Sequence, residues 1–242
     1  MKRFPINIKP FGEQAILIEW PNIVSEAVLS DILSFKNQLK EHLSQGFELI
    51  PAYNSLTLIS NRQVDFEVLH GQLKSWYEIS DGIQPAENFL WKLPVCYDLE
   101  FGIDLEEVSS QLQMTVAELI EQHTAHEYTV FGIGFLPGFM YLGGLPDTLE
   151  TRRKAEPRLH VDKGSVGLAG KQTGIYPQDS PGGWNIIGNC PIPIFNVEAK
   201  TPCFVSVGDK IRFQAISKAK YDLHKIEGEV GIYQPEKIVL DA

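Results

Sequence analysis

A chain of 242 residues, 43% hydrophobic and 21% charged, can bury one large core or two small ones and has the composition of an ordinary globular protein. Its net charge of −10, with no basic run beyond Arg152-Arg153-Lys154, argues against nucleic acid or an anionic membrane as the main partner. The opening MKRFPINIKPFGEQAILIEW lacks a signal-peptide core and no segment approaches a membrane span. Cys96, Cys190 and Cys203 have no metal-type spacing and read as reduced thiols, so a cytoplasmic protein is expected.

Taken in order, Ile6–Glu19 alternates apolar residues around a break at Gly12 and reads as an opening strand or hairpin. Beyond Pro21-Asn22, Val24, Val28, Ile32, Phe35, Leu39 and Leu43 recur every three or four positions, predicting an amphipathic helix that ends before Gly46. Strands at Phe47–Pro51 and Ser55–Ser60 flank a turn at Ala52-Tyr53-Asn54. Phe66, Leu69, Leu73 and Trp76 mark a second helix, with Gly71 as its weak point. This βαββα order, completed by a closing strand, predicts an α+β, ferredoxin-like N-terminal domain with two helices on an antiparallel sheet. The turn-rich Ser80-Asp81-Gly82-Ile83-Gln84-Pro85 sets the boundary, giving domains at residues 1–84 and 85–242.

In the second half, Phe89–Tyr97 reads as a strand that Pro94 assigns to a sheet edge. Asp104 with Glu107, and Thr115 with Glu118, fit capping pairs that open two short helices covering a barrel mouth. Glycine and proline concentrate between Val130 and Asn196. Short strands sit between the breaks at Tyr128–Ile133, Ser165–Ala169, Gly174–Ile175, Asn185–Ile187 and Ile192–Phe195. Further strands are predicted at Thr201–Val207, Lys210–Ala215, Tyr221–Ile226 and near Glu229–Tyr233, with a hairpin turn at Val207-Gly208-Asp209-Lys210. Short strands separated by turn residues predict a mainly β barrel or sandwich, whose loops are where binding and catalysis concentrate.

Nucleotide, zinc-protease and hydrolase-elbow motifs are missing from the sequence. His123-x-x-His126, followed by Glu127, could present two ligands from one helix face, but no third ligand is visible and no metal is assigned. Better candidates lie in the Gly/Pro loops. Arg153 and Arg158 flank Pro157 and suit a carboxylate or phosphate. Lys171, Gln172, Thr173 and Ser180, with Tyr141, Tyr176 and Trp184 as an apolar wall, suit a small anionic, carbonyl-bearing ligand or an acyl phosphate. Each has a plain alternative: a surface ion pair for the arginines, a solvated loop for Lys171, core for Trp184. Ser165 and Ser180 have no sequence-linked histidine base, so no catalytic residue is assigned.

The run FGIGFLPGFMYLGGLP (Phe131–Pro146), followed in order by Pro157-Arg158, Gly164-Ser165-Val166, Ala169-Gly170, QTGIYP (Gln172–Pro177) and SPGGWNIIG (Ser180–Gly188), closely resembles the PxpB / KipI family. That family is also called allophanate hydrolase subunit 1, or carboxyltransferase subdomain C/D. The resemblance implies a cyclophilin-like β-barrel for the second half. It also implies the PxpB-type subunit of a 5-oxoprolinase, hydrolysing 5-oxoproline to glutamate with ATP (with magnesium) bound by the complex. The implied partners are a homologous carboxyltransferase-type subunit (PxpC / KipG type) and a third, PxpA-type subunit. Alternatives within the family are an inhibitor of a sensor histidine kinase and subunit 1 of an allophanate or urea amide hydrolase. The chain departs from the family pattern at Arg152, at Asp162 in place of a proline, and at Asn189-Cys190 in place of Arg-Thr. The last change implies a cation lost from the functional loop.

Overall fold

The computed structural model describes residues 4–43, 46–79 and 88–240, and the expected boundary segment Ser80–Pro85 lies outside them. The chain divides into two compact units, residues 1–87 and Asn88–Leu240.

In the first unit, β1 (Asn7–Pro10) and β2 (Ala15–Glu19) form the opening hairpin, followed by helix α1 (Glu26–His42), β3 (Phe47–Ala52), β4 (Ser55–Ser60) and helix α2 (Phe66–Ile79). The sheet order is β1-β2-β4-β3, antiparallel throughout. The strand expected to close this layer after α2 is not among the described residues, and the edge beside β2 is β1. Helix α1 starts at Ser25, whose side chain accepts from the Val28 N–H, and buries Val28, Ile32, Phe35 and Leu39 as its periodicity requires. Asp31 on the same helix is fully buried. It accepts from Trp20 Nε1 at 2.8 Å and from the Tyr77 hydroxyl, tying α1 to the residue that follows β2 and to α2.

The second unit opens with β5 (Asn88–Val95), α3 (Leu105–Gln111) and α4 (Val116–Ala125). Strands β6 (Tyr128–Ile133), β7 (Met140–Gly143), β8 (Arg158–Val161), β9 (Ser165–Ala169) and β10 (Gln172–Ile175) follow, then β11 (Ser180–Gly182) and β12 (Asn185–Asn189). It ends with β13 (Lys210–Ala215), α5 (Lys218–Glu229) and β14 (Glu236–Leu240). Eight strands form one sheet in the order β12-β9-β10-β7-β6-β13-β5-β14, with β8 and β11 paired apart from it. All its ladders are antiparallel except β13 with β5. The ladder is open, not the closed barrel expected. An isolated antiparallel bridge joins Cys96 to Asn189 through two hydrogen bonds of 2.9 Å.

Several expectations are corrected. Residues 221–226 and 229–233 are not strands: the first belongs to α5, capped by Ser217. The alternation of Tyr221 and Leu223 is misleading, because only Tyr221 and Gly228, seven residues apart, are buried on that helix. Ile192–Phe195 and Thr201–Val207 are irregular, apart from a Phe195–Cys203 bridge, so the turn before β13 joins no hairpin. Pro94 lies within β5 opposite Gln214 of β13, but the pairing with β14 stops at Lys92, so its missing donor falls beyond that partner.

The turn itself is fixed by Asp209, 2% exposed, whose carboxylate accepts from the N–H of Phe89 (2.9 Å), Trp91 Nε1 (3.0 Å) and the Ser206 N–H (2.9 Å). Asp209→Ala leaves those donors unpaired and is expected to lower the free energy of unfolding by about 3 kcal/mol, read by urea titration. A loss below about 1 kcal/mol would mean that water replaces the carboxylate there.

Candidate functional site

The Gly/Pro-rich runs converge on a cleft of about 610 Å³ in the second unit. Phe139, Tyr176 and Trp184 are 1–2% exposed and also form a small core cluster with Val161, Ala169 and Ile186. Phe139 is the hub. Tyr141, Tyr176 and Trp184 meet it edge to face, at centroid distances of 4.9, 5.3 and 5.4 Å. Glycine permits the approach: a Cβ on Gly182 would lie 2.3 Å from the Tyr176 hydroxyl oxygen. Burial raises the pKa of that hydroxyl, so Tyr176 serves as a neutral wall.

Arg153, Lys154, Pro157, Pro181, Gly183 and Phe135 complete the lining, which among the described residues contains no carboxylate. The Arg153 guanidinium carbon is 5.8 Å from the centre of the Trp184 ring. Lys154 Nζ sits 2.9 Å from Asp104 and 2.7 Å from Glu107. Burial works against the ammonium, but those two carboxylates prevail and raise its pKa. Phe135 adopts φ 69°, in the left-handed region, where a bulky side chain costs on the order of 1–3 kcal/mol.

Behind this wall lies Asp104. It does not cap α3 with its side chain, contrary to the expected pairing with Glu107. Its carboxylate, 2% exposed, accepts from Arg158 (2.5 Å), Lys154 (2.9 Å) and the Ile186 N–H (2.7 Å). The Thr115–Glu118 capping box, by contrast, forms as expected. Burial alone would raise the Asp104 pKa, but the Arg158, Ile186 and Lys154 hydrogen bonds outweigh it and lower the pKa below the usual carboxylate value.

Of the residues proposed from sequence, Arg153, Tyr176, Trp184 and Tyr141 line the cleft. Arg158 is engaged with Asp104 instead. Lys171 projects into solvent, paired with Asp147 at 2.8 Å and Glu150 at 3.6 Å, and Gln172 and Ser180 are not in the lining. Thr173 is fully buried, donating to the Gly167 carbonyl at 3.1 Å and meeting His123 Nε2 at 2.9 Å. His123 is equally buried, with the Tyr97 hydroxyl 2.7 Å from Nδ1. Burial first, then His126, pushes its pKa down to about 3, so it is a neutral core histidine. His126 is exposed, its Nδ1 near the Gln122 carbonyl, and the pair forms no metal site. A separate exposed group, His160, Asp162 and Asp179, brings three donor atoms within 4.8 Å, with His160 Nε2 already 2.7 Å from Asp162. Phe135, Phe139, Lys154 and Pro157 escape sequence reasoning; the signal for Phe139 is its place in the FLPGF run.

Three of the four departures from the family pattern lie elsewhere. Asp162, Asn189 and Cys190 line a second cleft of about 640 Å³, with Tyr221 and Lys225. Asn189 bonds the Tyr221 hydroxyl and the Lys163 carbonyl, each at 3.0 Å, so an arginine missing from position 189 takes no cation from the aromatic cleft. Burial pushes the Cys190 thiol up to about 12, which leaves it no thiolate to react.

Because the folded pKa of Asp104 is depressed, its contribution is fully present above the unfolded value of about 3.9 and is lost as pH falls through the folded one. Asp104→Asn should therefore be about 3 kcal/mol less stable than wild type at pH 7, with a flatter stability profile below about pH 4. Urea titrations across pH check both, and parallel acid profiles would refute the assignment.

The carboxyltransferase domain, subdomain C and D, family model matches residues 6–205. The chain is 35% identical over 232 residues to the B-type subunit of 5-oxoprolinase from Bacillus subtilis, covering 91% of this chain and 97% of that protein. It is 36% identical over 204 residues to the corresponding 5-oxoprolinase subunit of Escherichia coli O157:H7, covering 84% and 92%. Among solved structures, a conserved uncharacterized protein from Pyrococcus horikoshii is 36% identical with a TM-score of 0.53, over 89% of this chain and 100% of that one. Kluyveromyces lactis urea carboxylase superposes at a TM-score of 0.77, over 97% of this chain and 24% of its own; at 14% identity this likeness speaks of fold alone. The chain belongs to the carboxyltransferase subdomain C and D family.

Proposed function

We propose that this chain is the PxpB-type subunit of an ATP-dependent 5-oxoprolinase, working in the cytoplasm with a homologous PxpC / KipG-type subunit and a PxpA-type subunit. The observation that carries this reading is the carboxylate-free aromatic cleft, built from the same runs that resemble the family. The substrate is a small lactam bearing a carboxylate. Arg153 supplies a guanidinium for that carboxylate, and Lys154 keeps a second positive charge on the wall.

Hydrolysis breaks the lactam C–N bond, adds a water oxygen to the carbonyl carbon and returns a proton to nitrogen. ATP, when bound, would supply its γ-phosphoryl group to the carbonyl oxygen and leave as ADP, and a second water would release that group as phosphate once the C–N bond has broken. The described lining offers no carboxylate to a magnesium ion, so the nucleotide and its metal are assigned to the assembled complex and not to this cleft. Nor does that lining hold a serine or cysteine. The chain accordingly binds and orients substrate, excludes water with its aromatic rings, and is inactive alone.

The same reading makes residues 1–84 a ferredoxin-like domain in which β1 occupies the sheet edge. It makes residues 85–242 a cyclophilin-like domain whose eight-stranded sheet is open, with the Cys96–Asn189 bridge linking β12 to the residue after β5.

The decisive assay is glutamate release from 5-oxoproline and ATP by the three subunits, with this chain omitted as control. Glutamate is expected only when the chain is present, and Arg153→Ala should lower kcat/KM ten- to about a hundredfold, the worth of one charged hydrogen bond. Glutamate formed equally without the chain overturns the reading. Turnover of allophanate or urea alone would move it to the amide-hydrolase branch, and tight binding to a sensor kinase without turnover to the regulatory one.

A further inference from the structure

Phe135 carries two costs at once. Its backbone is held at φ 69°, where bulky L residues are outliers, and the residue remains 64% exposed. Tyr53 and Gln113 share the positive φ, but Tyr53 turns the chain between β3 and β4 and Gln113 lies just past the end of α3; neither lines either cleft of the second unit.

The loop around Phe135 enforces the conformation. The Gly134 N–H donates to the Phe139 carbonyl and the Phe139 N–H to that of Leu136, both at 3.0 Å, and Pro137 fixes a torsion between them. Gly138, at φ 84°, packs so closely that a Cβ there would lie 2.6 Å from that of Phe195. Phe139 meets the Phe135 ring edge to face at 5.7 Å. Since Phe135 lines the cleft, the outcome is an aromatic ring held at its surface and left largely uncovered. Strain persists where the surroundings over-determine it, and it clusters at ligand clamps. The same cleft presents Arg153 and, among the described residues, no acidic group, so its complement is a small flat ring with an anionic substituent.

We propose that Phe135 is a specificity-determining residue whose ring stacks on the lactam ring of 5-oxoproline while Arg153 takes the carboxylate. The assignment rests on the 5-oxoprolinase reading above. It extends that reading from a site to a substrate orientation.

The test compares Phe135→Ala with Phe135→Gly in the three-subunit complex. Both lack the ring, and only glycine is at ease at φ 69°. Both should raise KM for 5-oxoproline about tenfold, the loss of one aromatic contact, and leave KM for ATP unchanged. Phe135→Tyr should restore KM to within about twofold, since it keeps the ring face. In the isolated chain, Phe135→Gly should melt about 2–4 °C above Phe135→Ala, which retains the strain.

An unchanged KM for 5-oxoproline, with or without a fall in melting temperature, makes the ring a packing element and overturns the proposal. A rise confined to KM for ATP overturns it in favour of a nucleotide ring. A wild-type complex without turnover sinks only the enzymatic reading. Calorimetric titration of 5-oxoproline into that complex then decides, and the stacking role falls if wild type and Phe135→Ala bind alike or neither binds.

Discussion

The buried carboxylate of Asp104 is the charge around which the cationic side of the aromatic cleft is assembled. At 2% exposure it would not remain ionised by itself, and the guanidinium of Arg158, the ammonium of Lys154 and the Ile186 N–H together make ionisation favourable. Those donors come from β8, the preceding loop and β12, and the Asp104 residue itself begins α3. One carboxylate thus holds three parts of the second unit in register. Removing a partner leaves a charge without water, which costs far more than a surface ion pair would. Helix α3 forgoes its side-chain cap in consequence, and the lost cap is small beside the charges that Asp104 neutralises.

A second buried polar group works in the opposite sense. The Thr173 hydroxyl donates to the Gly167 carbonyl, so it can accept from His123 Nε2, which leaves Nδ1 to accept from the Tyr97 hydroxyl. Every member stays neutral, and the imidazole stacks on Phe213 at 4.6 Å, 15° from parallel. Such a network stiffens a core without needing a counter-charge. The pair His123 and Thr173 is therefore scaffold, while Asp104 fixes the position of Lys154 in the neighbouring wall.

What can be read from sequence, and what cannot, follows from range. Helix α1 and the Thr115–Glu118 box are governed by contacts within one or two turns, and they are legible. Arg153, Tyr176 and Trp184 are legible because aromatic and cationic residues beside glycine have few other uses. Asp104 is not: a cap and an ion pair ask for the same residue type, and its partner Arg158 is 54 positions away. Thr173 fails for the reason that strands fail generally, since neighbouring residues on β10 face opposite sides and motif membership does not reveal which. Helix α5 is hidden because Leu223 and Ile226 suggest a strand core although each is more than half exposed.

The two clefts described in the second unit differ in how they carry the family resemblance. The FLPGF and SPGGW runs shape the aromatic cleft, supplying its packed rings, the close glycine and the strained Phe135. The departures at positions 162, 189 and 190 face the other cleft, where Asn189 is absorbed in hydrogen bonds to Tyr221 and Lys163. A change of ligand at the aromatic cleft would have to alter its rings or its cations, and the runs from Phe135 to Phe139 and from Ser180 to Trp184, which supply the Phe135, Phe139 and Trp184 rings, keep the residues of the resemblance. The departures at positions 162, 189 and 190 leave the lining of the first cleft unaltered. The lost arginine therefore gives no reason to expect a different substrate at the aromatic cleft.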